Sequence, residues 1–254
     1  LYTFLVAEVI MVWEVLFVFL IVLFGGFIQG ASGFGFGLVA MGLLPIMFSL
    51  KDSTLLVISL LLVASVSILL KIYKYIELKG LLLIVSSALV GRILAFFVLS
   101  TYGEMDFLKQ ALGFFLIGMV IYLYFSKTNS SSAAAMNPFT PIILGLLGGL
   151  IGGVFAVGGP FFVFYFLVLY SDKHKYNANL QITVVITCLF TIILHGINGD
   201  FNSTFSIYFL VGFVGVYIGT MLGLKCFEKL PSHLIKKLAM IMVLASAVNL
   251  IFFS

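Results

Sequence analysis

The sequence predicts an all-α polytopic membrane protein built from two inverted repeats of about five apolar segments each, both carrying a glycine-rich break or re-entrant hairpin. Three observations predict it. Composition sets the solvent, because 63% hydrophobic residues, 9% charged residues and 28 phenylalanines exclude a water-soluble domain. Run length sets the secondary structure: the apolar runs approach the roughly 20 residues of a spanning helix, whereas barrel strands alternate apolar and polar residues over roughly ten. Duplication sets the architecture, since Gly25-Gly26-Phe27-Ile28-Gln29-Gly30-Ala31-Ser32-Gly33-Phe34-Gly35-Phe36-Gly37 and Gly148-Gly149-Leu150-Ile151-Gly152-Gly153-Val154-Phe155-Ala156-Val157-Gly158-Gly159-Pro160 read almost as copies.

The first segment, about 9–30, carries Trp13 and Glu14 and runs into the first glycine stretch. Glu8 and Glu14 stand where a signal peptide would be basic, so this segment is expected to be mature structure. The second (34–48) and seventh (160–171) are short for a core of about 30 Å at 1.5 Å per residue. Each is a short helix or one arm of a re-entrant hairpin. Between them, 53–70 follows Lys51-Asp52, 80–99 contains Gly91 and Arg92, and 107–125 closes the first repeat. A polar linker at 126–138 follows. The second repeat comprises 139–157, which ends in the second glycine stretch, the short seventh segment, 177–196, 204–224 and 234–253. The division is therefore 1–125, 126–138 and 139–254.

An offset of about 124 pairs Lys51 with Lys175, Ser53 with Asn177, Gly91 with Gly215 and Ala95 with Gly219, so the repeat extends past the glycines. An odd number of crossings per repeat inverts the copies. With the linker cytoplasmic, Lys71, Lys74, Lys79, Lys127, Lys173, Lys175, Lys225, Lys229, Lys236 and Lys237 fall inside, against Lys51 and Lys109 outside. Both termini are then outside. Counting each short segment as a hairpin arm leaves every loop on the same side.

The breaks are the leading site candidate. A helix interrupted in the membrane leaves N–H groups without partners at the start of the next half-helix, and these attract anions. Glycine lets a ligand reach the backbone. Gly30, Gly33, Gly35 and Gly37 from the first break and Gly153, Gly158 and Gly159 from the second are the candidates, with Gln29 and Ser32 beside the first and Gln181 one turn into the eighth segment. Close helix packing through small-xxx-small spacing is the competing explanation, which Gly26–Gly30 and Gly149–Gly153 also satisfy. Arg92, the only arginine, costs at least about 2.5–3.5 kcal/mol at that depth, so it should face the interior and meet a partner. A bound anion or carbonyls freed at a break would serve. His195 could carry a proton or simply bond a carbonyl, and Glu14 could couple protons or sit at the interface. Cys188 and Cys226 read as packing residues. No metal-ligand spacing, phosphate loop or nucleophile–base set occurs, so no enzyme, metal, cofactor or nucleic-acid partner is expected.

The run Gln29-Gly30-Ala31-Ser32-Gly33-Phe34-Gly35-Phe36-Gly37-Leu38-Val39, with Gly153-Val154-Phe155-Ala156-Val157-Gly158-Gly159-Pro160-Phe161, resembles the paired glycine motifs of the TauE/SafE sulfite exporter family. The resemblance covers nearly the whole chain. Many members have three consecutive glycines in each half; the Gly33-Phe34-Gly35-Phe36-Gly37 spacing recurs in a subgroup. It implies a multi-pass transporter of the bacterial inner membrane that exports sulfite, sulfoacetate or another organosulfur anion. The glycines are the positions it supports; Arg92 and Gln181 come from the residues alone. The expected function is alternating-access export of such an anion, coupled to the proton gradient or the membrane potential. An importer or a carrier of another small anion, such as a carboxylate, is the alternative, and a membrane scaffold a remoter one. The partners are the anion and the bilayer, with a homodimer left open.

Overall fold

The computed structural model describes residues 2–78, 80–125 and 139–226 and the single positions 244, 247, 248, 251 and 252, with side chains omitted for 2–11 and 122–125. The expected linker at 126–138 and most of the tenth segment lie outside the described residues, as do Lys79, Lys127, Lys229, Lys236 and Lys237. The elements are α1 (Tyr2–Ser32), α2 (Phe36–Leu43), a 3-10 turn (Leu44–Ile46), α3 (Leu50–Ile72), a second 3-10 turn (Tyr73–Tyr75), α4 (Leu81–Tyr102), α5 (Asp106–Phe125), α6 (Thr140–Phe155), α7 (Gly159–Leu169), α8 (Lys173–Ile197) and α9 (Phe205–Cys226). Among the described residues there is no strand, and five helices are long and apolar enough to cross a membrane.

Local chemistry fixes the helix starts. Ser49 caps α3 by accepting from the Asp52 N–H at 3.1 Å, and Asp172 caps α8 by accepting from His174 and Lys175 at 2.9 and 2.8 Å. Pro141 and Pro160 occupy first-turn positions of α6 and α7, where no N–H is needed. Leu82, Phe97, Phe114, Ile193 and Leu210 face outward while Gln29, Arg92, Asn179, Gln181, Thr187 and His195 are buried. Such an apolar exterior over a polar interior suits a bilayer, where every polar group must be satisfied internally.

Glycine decides which helices meet. On α1, a Cβ at Gly30 would lie 2.3 Å from the Thr220 carbonyl oxygen of α9, and one at Gly223 would lie 2.1 Å from that of Phe27. α4 and α6 meet in the same way, with a Cβ at Gly149 2.1 Å from the Ala88 oxygen and one at Gly91 2.3 Å from the Leu146 oxygen. Only glycine permits so close a parallel approach. Among the described residues these are the two most extensive helix contacts. Exchanging the first and fourth helices of one half for those of the other converts α1·α9 into α6·α4.

The remaining central pair, α3 and α8, runs antiparallel. Lys51, at the start of α3, bonds Asp200 beyond the end of α8 at 2.5 Å, and Lys175, at the start of α8, bonds Glu77 beyond the end of α3. The two ion pairs are thus separated by roughly the 34 Å that a helix of 23 residues spans.

Candidate anion site at the paired helix breaks

Both breaks turn the chain back on itself. Gly33 and Gly35 take φ of 81° and 111°, which glycine adopts without penalty, and the returning chain brings Phe36 against Gly25 of α1. In the second break Ala156 takes φ 53°, and the return brings Gly158 to the Gly148 carbonyl and Phe162 to Gly148. Each turn is pinned by a helix distant from it in sequence. Gln181 of α8 donates to the Gly33 oxygen at 2.7 Å, and Thr54 of α3 donates to the Val154 oxygen at 2.9 Å.

The two turns meet at a small cavity of about 30 Å³ lined by Gln29, Gly35, Gly37, Arg92, Gly158 and Gly159, with Leu61, Phe162 and Val184 as apolar walls. That volume holds a water or two, or a few heavy atoms. The first turns of α2 and α7 both border it. Gln29 Oε1 accepts from the Phe36 N–H at 3.2 Å, and Val39 returns to the Gly35 carbonyl, so the Gly37 and Leu38 N–H groups have no intrahelical partner. In α7 the Gly159 N–H, at the first helical position, likewise has no intrahelical partner, and Pro160 has no N–H.

Arg92 reaches this cavity from the middle of α4, with 3% of its surface exposed. Its Nη1 donates to the Gly152 carbonyl at 2.7 Å and to Thr191 Oγ1 at 3.3 Å, and Nη2 approaches Thr187 Oγ1 at 3.5 Å. Nε is buried without a partner among the described residues. Among the described residues no carboxylate pairs with it. The break carbonyl therefore orients the guanidinium but leaves its charge uncompensated.

The other expected residues fall around the site. Gly30 packs on α9, and Gly153 packs against Ala95 and the Arg92 side chain; neither lines the cavity. Ser32 lies 2.7 Å from the Ile28 oxygen and 2.6 Å from the Phe34 oxygen, where one of them accepts its proton and closes the end of α1. Gln181 and Gly33 stand behind the lining, joined through Gln29 and Asn177. Glu14 accepts from Tyr208 of α9 at 2.6 Å, and Cys188 is buried. Sequence reasoning misses Thr187, Thr191, Thr54 and Asn177. The signal was present for two of them, because Asn179, Thr183, Thr187, Thr191 and His195 recur every fourth residue in an apolar helix and so share one face.

A multi-pass helical membrane protein in which two glycine-rich breaks and a buried guanidinium line one small cavity has the architecture of a membrane carrier. The sulfite exporter TauE/SafE family model matches residues 18–250, and the chain belongs to that family. It is accordingly a membrane transporter of sulfite-like anions. No curated protein and no solved structure matches the chain.

Proposed function

We propose that this transporter exports a small organosulfur or sulfite-like anion across the bacterial inner membrane by alternating access, with both termini on the outer side. The single observation that carries the reading is the meeting of Arg92, uncompensated and buried, with the first turns of α2 and α7 at one small cavity. Helix N-termini and a guanidinium suit a compact oxyanion, the guanidinium bidentately. The inverted repeat is supported by the antiparallel α3 and α8 and by contacts that survive exchange of the halves. Alternating access gains support from the ion pairs at the two ends of α3 and α8. Lys51 and Lys175 are repeat equivalents, and Asp200 and Glu77 follow equivalent helices. Opening one pair while the other holds would expose the cavity to one side at a time. Either the proton gradient or the membrane potential supplies the coupling.

The test is a thermal-shift screen of the purified protein with sulfite, sulfate, sulfoacetate, taurine and simple carboxylates. A ligand at 100 times its Kd adds about 2.7 kcal/mol to native stability, which at this size raises Tm by about 5–10 °C. Sulfur oxyanions should stabilise and carboxylates should not. Stabilisation by carboxylates alone would overturn the substrate class.

A further inference from the structure

We infer that His195 is a proton-binding site linked to the anion site, so that a proton and an anion load together; this rests on the reading of Arg92 as the anion's partner. The buried polar face of α8 supplies the connection. Thr183, Thr187 and Thr191 each donate to the carbonyl one turn earlier, at 2.8, 2.9 and 2.9 Å. Their hydroxyl oxygens remain free to accept, and Thr187 and Thr191 accept from Arg92. His195 is the next residue on that face, four residues or about 6 Å beyond Thr191.

His195 is fully buried. Its Nδ1 lies 2.6 Å from Asp200 Oδ2, the ring of Phe96 packs against it edge-on, and Nε2 has no partner among the described residues. Asp200 also accepts from Lys51 at 2.5 Å, Asn198 at 3.0 Å and Ser100 at 3.3 Å. The charged and titratable groups around the imidazole are therefore Asp200 from the α8–α9 loop, Lys51 from α3, and Arg92 from α4, with Cys188 beside Arg92 on α8. Asp52 and Glu104 are engaged separately, by Asn202 and Ser49.

The charge count decides the sign. Lys51 and Asp200 cancel, so with the cavity empty an imidazolium would stand beside the uncompensated cation of Arg92 in a poorly solvated interior. An anion on Arg92 removes that repulsion. Anion binding then favours the proton, and by reciprocity the proton favours the anion. Loading one proton with one monovalent anion moves no net charge, so translocation becomes insensitive to membrane potential. The two also travel in the same direction. Outward transport then proceeds where the anion's outward gradient exceeds the inward proton gradient.

The experiment uses the full-length protein in detergent and methanesulfonate, whose charge stays fixed over the range of about pH 5 to 8 in which histidine titrates. Affinity and proton uptake are measured by calorimetry in buffers of different ionisation enthalpy. Wild type should bind more weakly as pH rises, by up to about tenfold per pH unit above the His195 pKa, and should take up a proton as it binds. His195→Gln should bind with the wild-type affinity of high pH, without proton uptake. Wild-type affinity that is flat with pH, or uptake unchanged in His195→Gln, overturns the linkage and leaves the anion site standing. Absence of sulfite and methanesulfonate binding at every pH overturns the proposed function and this linkage with it. Should His195→Gln fail to fold, 15N spectra of histidine in a His174→Gln, His233→Gln background give the answer. Conversion of the remaining imidazole to imidazolium on adding methanesulfonate supports the proposal, and an unchanged spectrum refutes it.

Discussion

Replacing Arg92 with methionine separates a binding role from a structural one, because the two predict opposite changes in stability. Methionine keeps most of the volume and removes the charge. The Gly152 carbonyl, 2.7 Å from Nη1, loses its side-chain donor, which costs about 1–3 kcal/mol for a buried acceptor left unsatisfied. Against this, the variant is relieved of a buried cation without a carboxylate partner, worth about 2.5–3.5 kcal/mol on insertion scales. The two terms nearly cancel, so stability should change little or rise. Binding should fall. A hydrogen bond to a charged group contributes about 1.5–3 kcal/mol, and at 1.4 kcal/mol per tenfold this weakens affinity by about 10- to 150-fold. Arg92→Lys keeps the charge without the planar fork and should lie between. The assay is paired: thermal unfolding without ligand, and calorimetric titration with sulfite. Arg92→Met with wild-type affinity would refute the assignment, and if the variant were also several kcal/mol less stable it would return Arg92 to a bracket for the break.

Four further predictions rest on the structure. Gly37→Ala and Gly158→Ala place a Cβ 2.1 and 2.2 Å from the Ala156 and Gly148 carbonyl oxygens; flux of sulfite in proteoliposomes should be lost in both. Gly118→Ala, with nothing among the described residues within 4 Å of the new Cβ, should raise stability by about 0.5–1 kcal/mol in its helix and leave flux intact. Burial pushes the Asp200 carboxyl up, but the hydrogen bonds from Lys51, His195 and Asn198 outweigh it and hold it at about 2. A carboxyl depressed in the folded state contributes stability above its unfolded pKa of about 3.9 and loses it as pH falls towards about 2. A Tm–pH scan should show this fall in wild type and a shallower one in Asp200→Asn. Finally, with Cys188 and Cys226 replaced, Asn202→Cys should react with an impermeant maleimide in intact cells and Leu78→Cys should not. Labelling of both from outside would exclude the inverted arrangement.

Hydrophobic run length made the segments legible, and capping explains where their edges differ. The apolar run of the third segment begins at 53, yet α3 begins at Leu50 because Ser49 and Asp52 serve as its cap and first turn. Likewise the eighth segment reads from 177, while α8 begins at Lys173 under the Asp172 cap. The polar residues that end an apolar run are the ones that start a helix. For the glycines, spacing alone left packing and binding undivided. Gly30 needs the Thr220 carbonyl of α9 beside it to be recognised as a packing residue, and Gly37 needs the neighbouring Ala156 turn. Such neighbours are distant in sequence, and no local pattern carries them. The surroundings of Arg92 were hidden for the same reason, since Gly152 and Thr191 arrive from two different helices.

If the two halves are the copies proposed above, the chemistry of the cavity depends on where the copies differ. An offset of about 124 places Val216 opposite Arg92, and one of about 123 places Gly152 opposite Gln29. These departures are coupled in space. A Cβ at Gly152 would lie 2.9 Å from Arg92 Nη2, so the missing side chain in the second break is what admits the guanidinium from α4. In the first break Gln29 holds the equivalent position and caps α2 instead, beside a fourth helix that offers only Val216. A symmetric arrangement would bring two guanidiniums to one small cavity. Each would carry its own burial cost of at least about 2.5–3.5 kcal/mol, and the pair would repel. A single cation leaves the empty site with one uncompensated charge, which one monovalent anion neutralises. The same asymmetry puts the polar face of α8 on the side of Arg92, where the hydroxyls of Thr187 and Thr191 turn towards it. On that reading the two copies supply the paired helix N-termini, and one arginine without a counterpart supplies the charge.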